Sequence, residues 1–277
     1  MKAVSKSIIA CAIAATSMFS TAAFAQDNFN PFTVEYDGYN FSADKITGNY
    51  TEIATFIPSA GDPNSGSFNV SLLWNAGQFV GNNGNTPVDN TGLNQTTNGY
   101  GVYALYMASG TFSIAGGVNT FNFTPGTGML QMYLDQDRNT TFTPPGGGAG
   151  EFELASTGDD RLLAEGEPLS GSGVLIPALP SCTQTGGIGC GLFGATSDFE
   201  LTDFGRTFFT SPNPFYTMSF QTGQLNTFLP VGTQTINGSL DVTFSEPGEV
   251  PEPASVGLLG LGMLGLYAAR RRNKKAA

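Results

Sequence analysis

Phe68-Asn-Val-Ser-Leu-Leu-Trp74 alternates so that Phe68, Val70, Leu72 and Trp74 share one side of an extended chain. Leu130-Gln-Met-Tyr-Leu134 repeats the pattern, and Leu240-Asp-Val-Thr-Phe244 sets Leu240, Val242 and Phe244 against Asp241 and Thr243. A period of two over such runs predicts half-buried strands. Weaker runs of the same kind span Phe32–Tyr36, Tyr50–Ile57, Tyr100–Ser109, Val118–Phe123, Phe152–Ala155, Phe199–Thr202 and Tyr216–Phe220. Outside the termini no apolar stripe of period 3.6 occurs; Arg161-Leu-Leu-Ala-Glu165 predicts a single helical turn at most.

The segments between these runs are built for turns. Gly61-Asp-Pro-Asn-Ser-Gly66 and Gly81-Asn-Asn-Gly-Asn-Thr-Pro87 supply Gly and Asn for positive φ and Pro to preset the bend. Many short strands, few helices and abundant glycine predict an all-β body, an antiparallel β-sandwich of jelly-roll-like type. Pro144-Pro-Gly-Gly-Gly-Ala-Gly150 either divides two lobes or forms a long surface loop. One domain over residues 26–249 is the expectation, since that length supports one substantial core.

Both ends break the pattern with apolar runs. Lys2 and Lys6 precede the apolar stretch Ile8–Phe19, and Ala23-Phe24-Ala25 follows as an A-x-A site. That order predicts a signal helix over residues 1–25, cut by signal peptidase at Ala23 and Ala25 to leave Gln26 first. At the other end, residues 250–277 hold Pro251-Glu252-Pro253, an apolar run over 254–269, and a basic end over 270–275. Sixteen residues give a helix of about 24 Å, short against a hydrocarbon core of roughly 30 Å. Arg270, Arg271, Arg272, Lys274 and Lys275 would hold that end inside by the positive-inside rule. The expectation is a short transmembrane helix suited to transient residence in the inner membrane.

Export makes the cysteines readable. Cys11 lies in the leader, which leaves Cys182 and Cys190 around a Gly-rich loop, and an oxidising compartment predicts a disulfide between them. So short a loop puts its stabilisation at the low end, about 2–3 kcal/mol. The charge is lopsided. Residues 26–249 carry four basic side chains, Lys45, Arg138, Arg161 and Arg206, against 21 acids, a net of −17. Such a surface repels nucleic acid and offers oxygen ligands to divalent cations, so no nucleic-acid partner is expected.

Candidate chemistry is sparse. The chain contains no histidine, which removes the commonest general base and the Ser-His-Asp and Cys-His arrangements. Glu151 and Glu153, Asp159 and Asp160, and Glu165 and Glu167 are nominal carboxylate pairs of the kind glycosidases use, but no motif accompanies them. No catalytic residue is assigned and the chain is expected not to be an enzyme. Asp135-Gln-Asp-Arg-Asn139 opens like a calcium loop, yet Thr140 and Gly146 stand where an EF-hand places Gly and Glu. A looser Ca2+ site at Asp135, Asp137 and Asn139 stays open beside the preferred reading, an acidic hairpin turn; no other cofactor is expected. Asn139-Thr-Thr141 is also a glycosylation sequon with an acid two residues upstream.

The tail, with its Pro-Glu-Pro, Gly/Leu-rich run and terminal arginines, resembles the PEP-CTERM sorting signal of bacterial exported proteins. That resemblance implies recognition by an exosortase, cleavage near Pro251-Glu252-Pro253, and a Gram-negative host that makes exopolysaccharide. Asn30–Val34, Ala43–Tyr50, Tyr103–Tyr106, Met132–Asp135 and Ser211–Tyr216 are similar to phrases in the flocculation-associated PEP-CTERM proteins. The expected function is therefore that of an exported, exosortase-sorted protein of the cell surface or extracellular matrix. It would act with exopolysaccharide in floc or biofilm formation. The alternatives are a secreted, glycosidase-like carbohydrate-active enzyme and a purely structural matrix glycoprotein without lectin activity.

Overall fold

A computed structural model describes residues 29–182, 189–222 and 225–246. The expected signal helix and the expected transmembrane helix lie outside these residues. Among the described residues no helix is long and apolar enough to cross a membrane. The described residues fall in one compact unit.

The chain opens with β1 (Phe32–Tyr36) and β2 (Tyr39–Ala43), a hairpin turned at Asp37-Gly38. Then come β3 (Lys45–Ser59), β4 (Asp62–Gly81), the short β5 (Thr86–Pro87), β6 (Gly101–Ala115) and β7 (Val118–Asp135). A connecting stretch holds β8 (Thr141–Thr143) and β9 (Glu153–Ala155). β10 (Arg161–Gly166), β11 (Pro168–Leu175), β12 (Gly191–Ser197) and β13 (Glu200–Leu201) follow. The one-turn helix α1 (Gly205–Phe208) leads through β14 (Phe209–Ser211) and β15 (Thr217–Thr222) to β16 (Gly232–Ser245).

Eight of these strands close on themselves. The order β3, β4, β6, β7, β11, β12, β15, β16 returns to β3 with antiparallel pairing at every step. The body is thus an up-and-down β-barrel and not the sandwich expected from the strand pattern. Alternation fixes which side chains face a core; it carries no information on whether the first and last strands meet. They do meet here: β16 runs against β3 from Gly232↔Phe56 to Thr243↔Lys45. β7 makes the other decisive turn, pairing β11 with Asn119–Asn122 and β10 with Leu130–Leu134.

An eight-stranded barrel is just wide enough for side chains to fill, and aromatic rings do most of the filling. Trp74, Phe68, Tyr106 and Phe220 are fully or almost fully buried. The Trp74 indole N–H donates to the Leu240 carbonyl at 3.0 Å, which satisfies it in the interior. Outward positions of β16 are Thr233, Thr235, Asn237, Ser239 and Asp241, the inverse of the apolar band on a lipid-facing barrel. At one end of the barrel the sheet β14-β1-β2 acts as a floor, where Phe32 meets Phe79, Phe209 and Phe244 with ring centroids 6.3, 5.8 and 5.0 Å away.

Residues 136–160 form a strap across the outside of β3, β4 and β6. Phe152, with Phe142 and Leu154, covers a second small core of Ile53, Leu73, Tyr103 and Leu105. Gly148 presses so close that its N–H donates to Thr55 Oγ1 at 2.9 Å, and a Cβ there would fall on the Asn69 carbonyl. The Pro-Gly-rich stretch is therefore part of a surface loop. Arg161–Glu165, expected as a helical turn, is strand β10. Its register shifts between Leu162 and Ala164, which places Leu163 and Ala164 both in the core and hides the period of two.

Gly48 on β3 is the tightest point of the seam beside Trp74. A Cβ at this position would fall on the indole and on the Asn75 carbonyl. Gly48→Ala is expected to cost about 1–3 kcal/mol by overpacking, measured as a lowered urea midpoint with an unchanged slope.

Candidate functional site

Two places in the body gather functional chemistry. The first lies where the strap leaves and rejoins the barrel. Asp135 ends β7, and its two carboxylate oxygens accept from the backbone N–H groups of Asn139 (3.2 Å) and Thr140 (3.1 Å). Asp159 accepts from the Asp137 N–H at 2.7 Å and from Asn139 Nδ2 at 3.2 Å. Asp160, just before β10, accepts from the Tyr103 hydroxyl at 2.6 Å and from Thr140 Oγ1 at 2.9 Å. The antiparallel pairing of β10 with β7 is what brings residues so far apart in sequence together.

One oxygen from each of Asp135, Asp159 and Asp160 lies within 4.8 Å of the others. Burial pushes the Asp160 carboxyl up, and its hydrogen bonds from Tyr103 and Thr140 pull it back. Burial also raises the Tyr103 phenol, as does the hydrogen bond to Asp160. The group is all oxygen, the ligand type of a hard divalent cation such as Ca2+. Of the trio read from sequence, Asp135 is in this group. Asp137 and Asn139 face it through N–H donors to Asp159, while Asp159 and Asp160 complete the set. Asn139 Nδ2, the atom a glycan would take, is on an exposed side chain.

The second place is the barrel end opposite the floor. There the disulfide Cys182–Cys190 ties the β11–β12 connection, with Cα atoms 4.7 Å apart, as the two cysteines of an exported chain predict. The Cys190 N–H donates to the Leu225 carbonyl at 2.8 Å, which holds residues 225–231 over the barrel mouth. Beneath them is a cavity of about 30 Å³, room for one or two waters, lined by Phe56, Phe68, Phe121, Phe123 and Phe193 with one acid, Glu52. Glu52 sits on β3 between Tyr50 and Ala54 in the inward phase, opposite Leu72 and Ile236. Burial pushes its carboxyl up to about 7. The carboxyl in turn adds to the burial that raises the phenols of Tyr50 and Tyr106.

Glu52 escaped notice in the sequence, although its phase was visible: Tyr50, Ala54 and Phe56 fix the inner side of the run, and Glu52 shares it. The nominal pair Glu151 and Glu153 is exposed on either side of buried Phe152, on the solvent face of the strap.

The sorting residues Pro251, Glu252 and Pro253 and the basic residues Arg270–Arg272, Lys274 and Lys275 lie outside the described residues, as do Ala23 and Ala25. Comparison with protein families decides the tail. Residues 249–272 match the PEP-CTERM protein-sorting motif. The tail is a PEP-CTERM sorting motif. The motif implies export, exosortase processing and sorting to the cell surface. It covers the tail and leaves the barrel unassigned, and no match to the chain was found among curated proteins or solved structures.

Because the Glu52 proton is bound more tightly in the fold than in the unfolded chain, ionisation costs stability as pH rises from the ordinary glutamate range through about 7. Relative to the parent, Glu52→Gln should gain thermal stability at pH 8 and show little difference at pH 4. Parallel melts across that range check it.

Proposed function

We propose that the barrel is a non-enzymatic body delivered by its PEP-CTERM tail to the cell surface or extracellular matrix, where it works with exopolysaccharide in floc or biofilm formation. The sorting motif at 249–272 carries this reading, since it sends the chain to the place where such material is laid down. Body phrases such as Ser211–Tyr216, similar to those of flocculation-associated PEP-CTERM proteins, agree with it. The host is then a Gram-negative bacterium, and the tail rests in the inner membrane only until an exosortase acts.

Two features of the body support contact with polysaccharide. A cleft of about 360 Å³ beside α1 offers Glu200, Arg206 and Asn213 for hydrogen bonds, with Phe215 as an apolar wall. Sugars take this mixture of polar groups and a ring face. The net charge of −17 on residues 26–249 also supports bridging to acidic polysaccharide through divalent cations.

Deletion of the chain should reduce aggregation and matrix content, with rescue by the full chain and none by a chain lacking residues 249–272. Unchanged aggregation on deletion would overturn the reading. On surface material, mass spectrometry should find a C-terminus near Pro251-Glu252-Pro253; an intact Ala277 would leave a permanent anchor instead. The purified protein should bind the host's exopolysaccharide, lose binding with chelator, and weaken on Arg206→Ala with Asn213→Ala. New reducing ends in that mixture would favour a carbohydrate-active enzyme, and no binding with or without Ca2+ a purely structural component.

A further inference from the structure

The mouth of the barrel carries chemistry that adhesion to polysaccharide does not use. Its lining is aromatic, as a sugar site built on hydroxyl recognition would not be, and it carries a single half-buried acid. Glu52, half-buried on this lining, makes no hydrogen bond among the described residues, and behind the lining the buried Tyr106 hydroxyl also lacks a partner. A half-buried carboxyl left without a protein partner on the wall of an apolar cavity marks a place where something else can donate to it.

The room itself is taken by Phe228. This side chain comes from the 225–231 segment, stacks on Phe56 with centroids 5.7 Å and planes 21° apart, and meets Phe121 at 5.6 Å. It is only partly buried, and its neighbours Leu229 and Val231 are 70% and 52% exposed. The segment is attached to the barrel at its ends: Leu225 to the Gly191–Cys190 edge, Asn226 Nδ2 to the Asn237 carbonyl at 3.4 Å, and the Val231 carbonyl to Gln234 Nε2 of β16 at 2.8 Å, with Phe228 between them. Ile57, 52% exposed, stands at the same end, one position beyond Phe56 on β3. An aromatic plug on a lightly held segment, over a cavity with an unpartnered acid, has the form of a small-ligand site filled by the protein's own side chain. Closed barrels of this strand number hold one small ligand at such a mouth.

We propose that the open end of the barrel binds a small aromatic or aliphatic amine, whose apolar part takes the place of Phe228 and whose ammonium donates to Glu52. An amine is chosen over a neutral or acidic ligand because the body is strongly acidic and the one charge-bearing group in the cavity is an acceptor when ionised. The titratable groups facing Glu52 are Tyr50 on its own strand and Tyr106 on β6, both phenols that burial keeps neutral. Among the described residues no cation lines the cavity. Binding therefore strengthens as pH rises and Glu52 ionises. This inference is independent of where the tail sends the chain, so its failure would leave the matrix role standing.

The test uses the purified exported protein and calorimetric titration with 2-phenylethylamine, with phenylacetate and ethylbenzene as the acidic and uncharged counterparts. The amine should bind, and Phe228→Ala should bind it more tightly by vacating the space. Phenylacetate should not bind either protein. In the Phe228→Ala background, Glu52→Gln should weaken the amine about tenfold or more, the loss of a charge-assisted hydrogen bond, and abolish the rise in affinity from pH 5 to pH 8. Both substitutions leave the other core rings in place, and a melting curve confirms that each variant folds. If neither the parent nor Phe228→Ala takes the amine, the proposal is overturned. It is equally overturned if ethylbenzene matches the amine in Phe228→Ala, or if Glu52→Gln binds the amine as the parent does.

Discussion

The pairing of β16 with β3 is the contact on which everything else in this body rests. Without it, the eight strands would be an open sheet with two unpaired edges, and the aromatic interior would have no fourth wall. The seam is well furnished for its task. Thr51 donates to Asn237 at 2.8 Å and Thr55 meets Thr233 at 2.9 Å on the outside, with the half-buried Lys45–Asp241 ion pair at 3.0 Å near one end. From the inside, Trp74 reaches over Gly48 to the Leu240 carbonyl. A partly exposed ion pair is worth little, about 1 kcal/mol at most, so the backbone ladder and the buried rings hold the closure.

Closure also divides the molecule into two unlike ends. The floor is sealed by a three-stranded sheet and by Phe rings at every contact around Phe32. The mouth is covered by a short segment whose apolar side chains partly face solvent. That difference explains why an acid without a protein hydrogen bond sits at the mouth, whereas the buried Asp44 at the floor end accepts from the Asn83 and Gly84 N–H groups. Glu52 lies toward the mouth, where partial solvent contact and a raised carboxyl make a neutral, protonated form accessible near neutral pH. An acid in the Phe32 cluster would have neither relief.

Much of the architecture could be read from residues alone. The inward sets Phe68, Val70, Leu72, Trp74 and Leu240, Val242, Phe244 are where alternation places them. The disulfide followed from two cysteines in an exported chain, and the tail from its motif. What could not be read were the features fixed by distant partners. Barrel closure depends on strands nearly two hundred residues apart. The strap hides Ile53, Leu73 and Leu105 on the outer face, where they look like errors in the pattern until Phe152 covers them. Asp159 and Asp160 join Asp135 only because β10 lies against β7. Leu162-Leu163-Ala164 resembled a helical turn because a register shift there sends two successive residues inward.

The order of the strands along the chain has a consequence for the protein's birth. The partner that β3 needs is the last strand among the described residues, and only three residues separate its final residue, Ser245, from the matched motif. Through almost the whole passage of the polypeptide out of the cell, β3 has no mate, and the Phe-rich inner face has no enclosure. Such long-range pairing is slow to form and exposed to misassociation while it waits. A chain built this way stays compatible with threading in an extended form and completes its fold only as the sorting signal itself arrives.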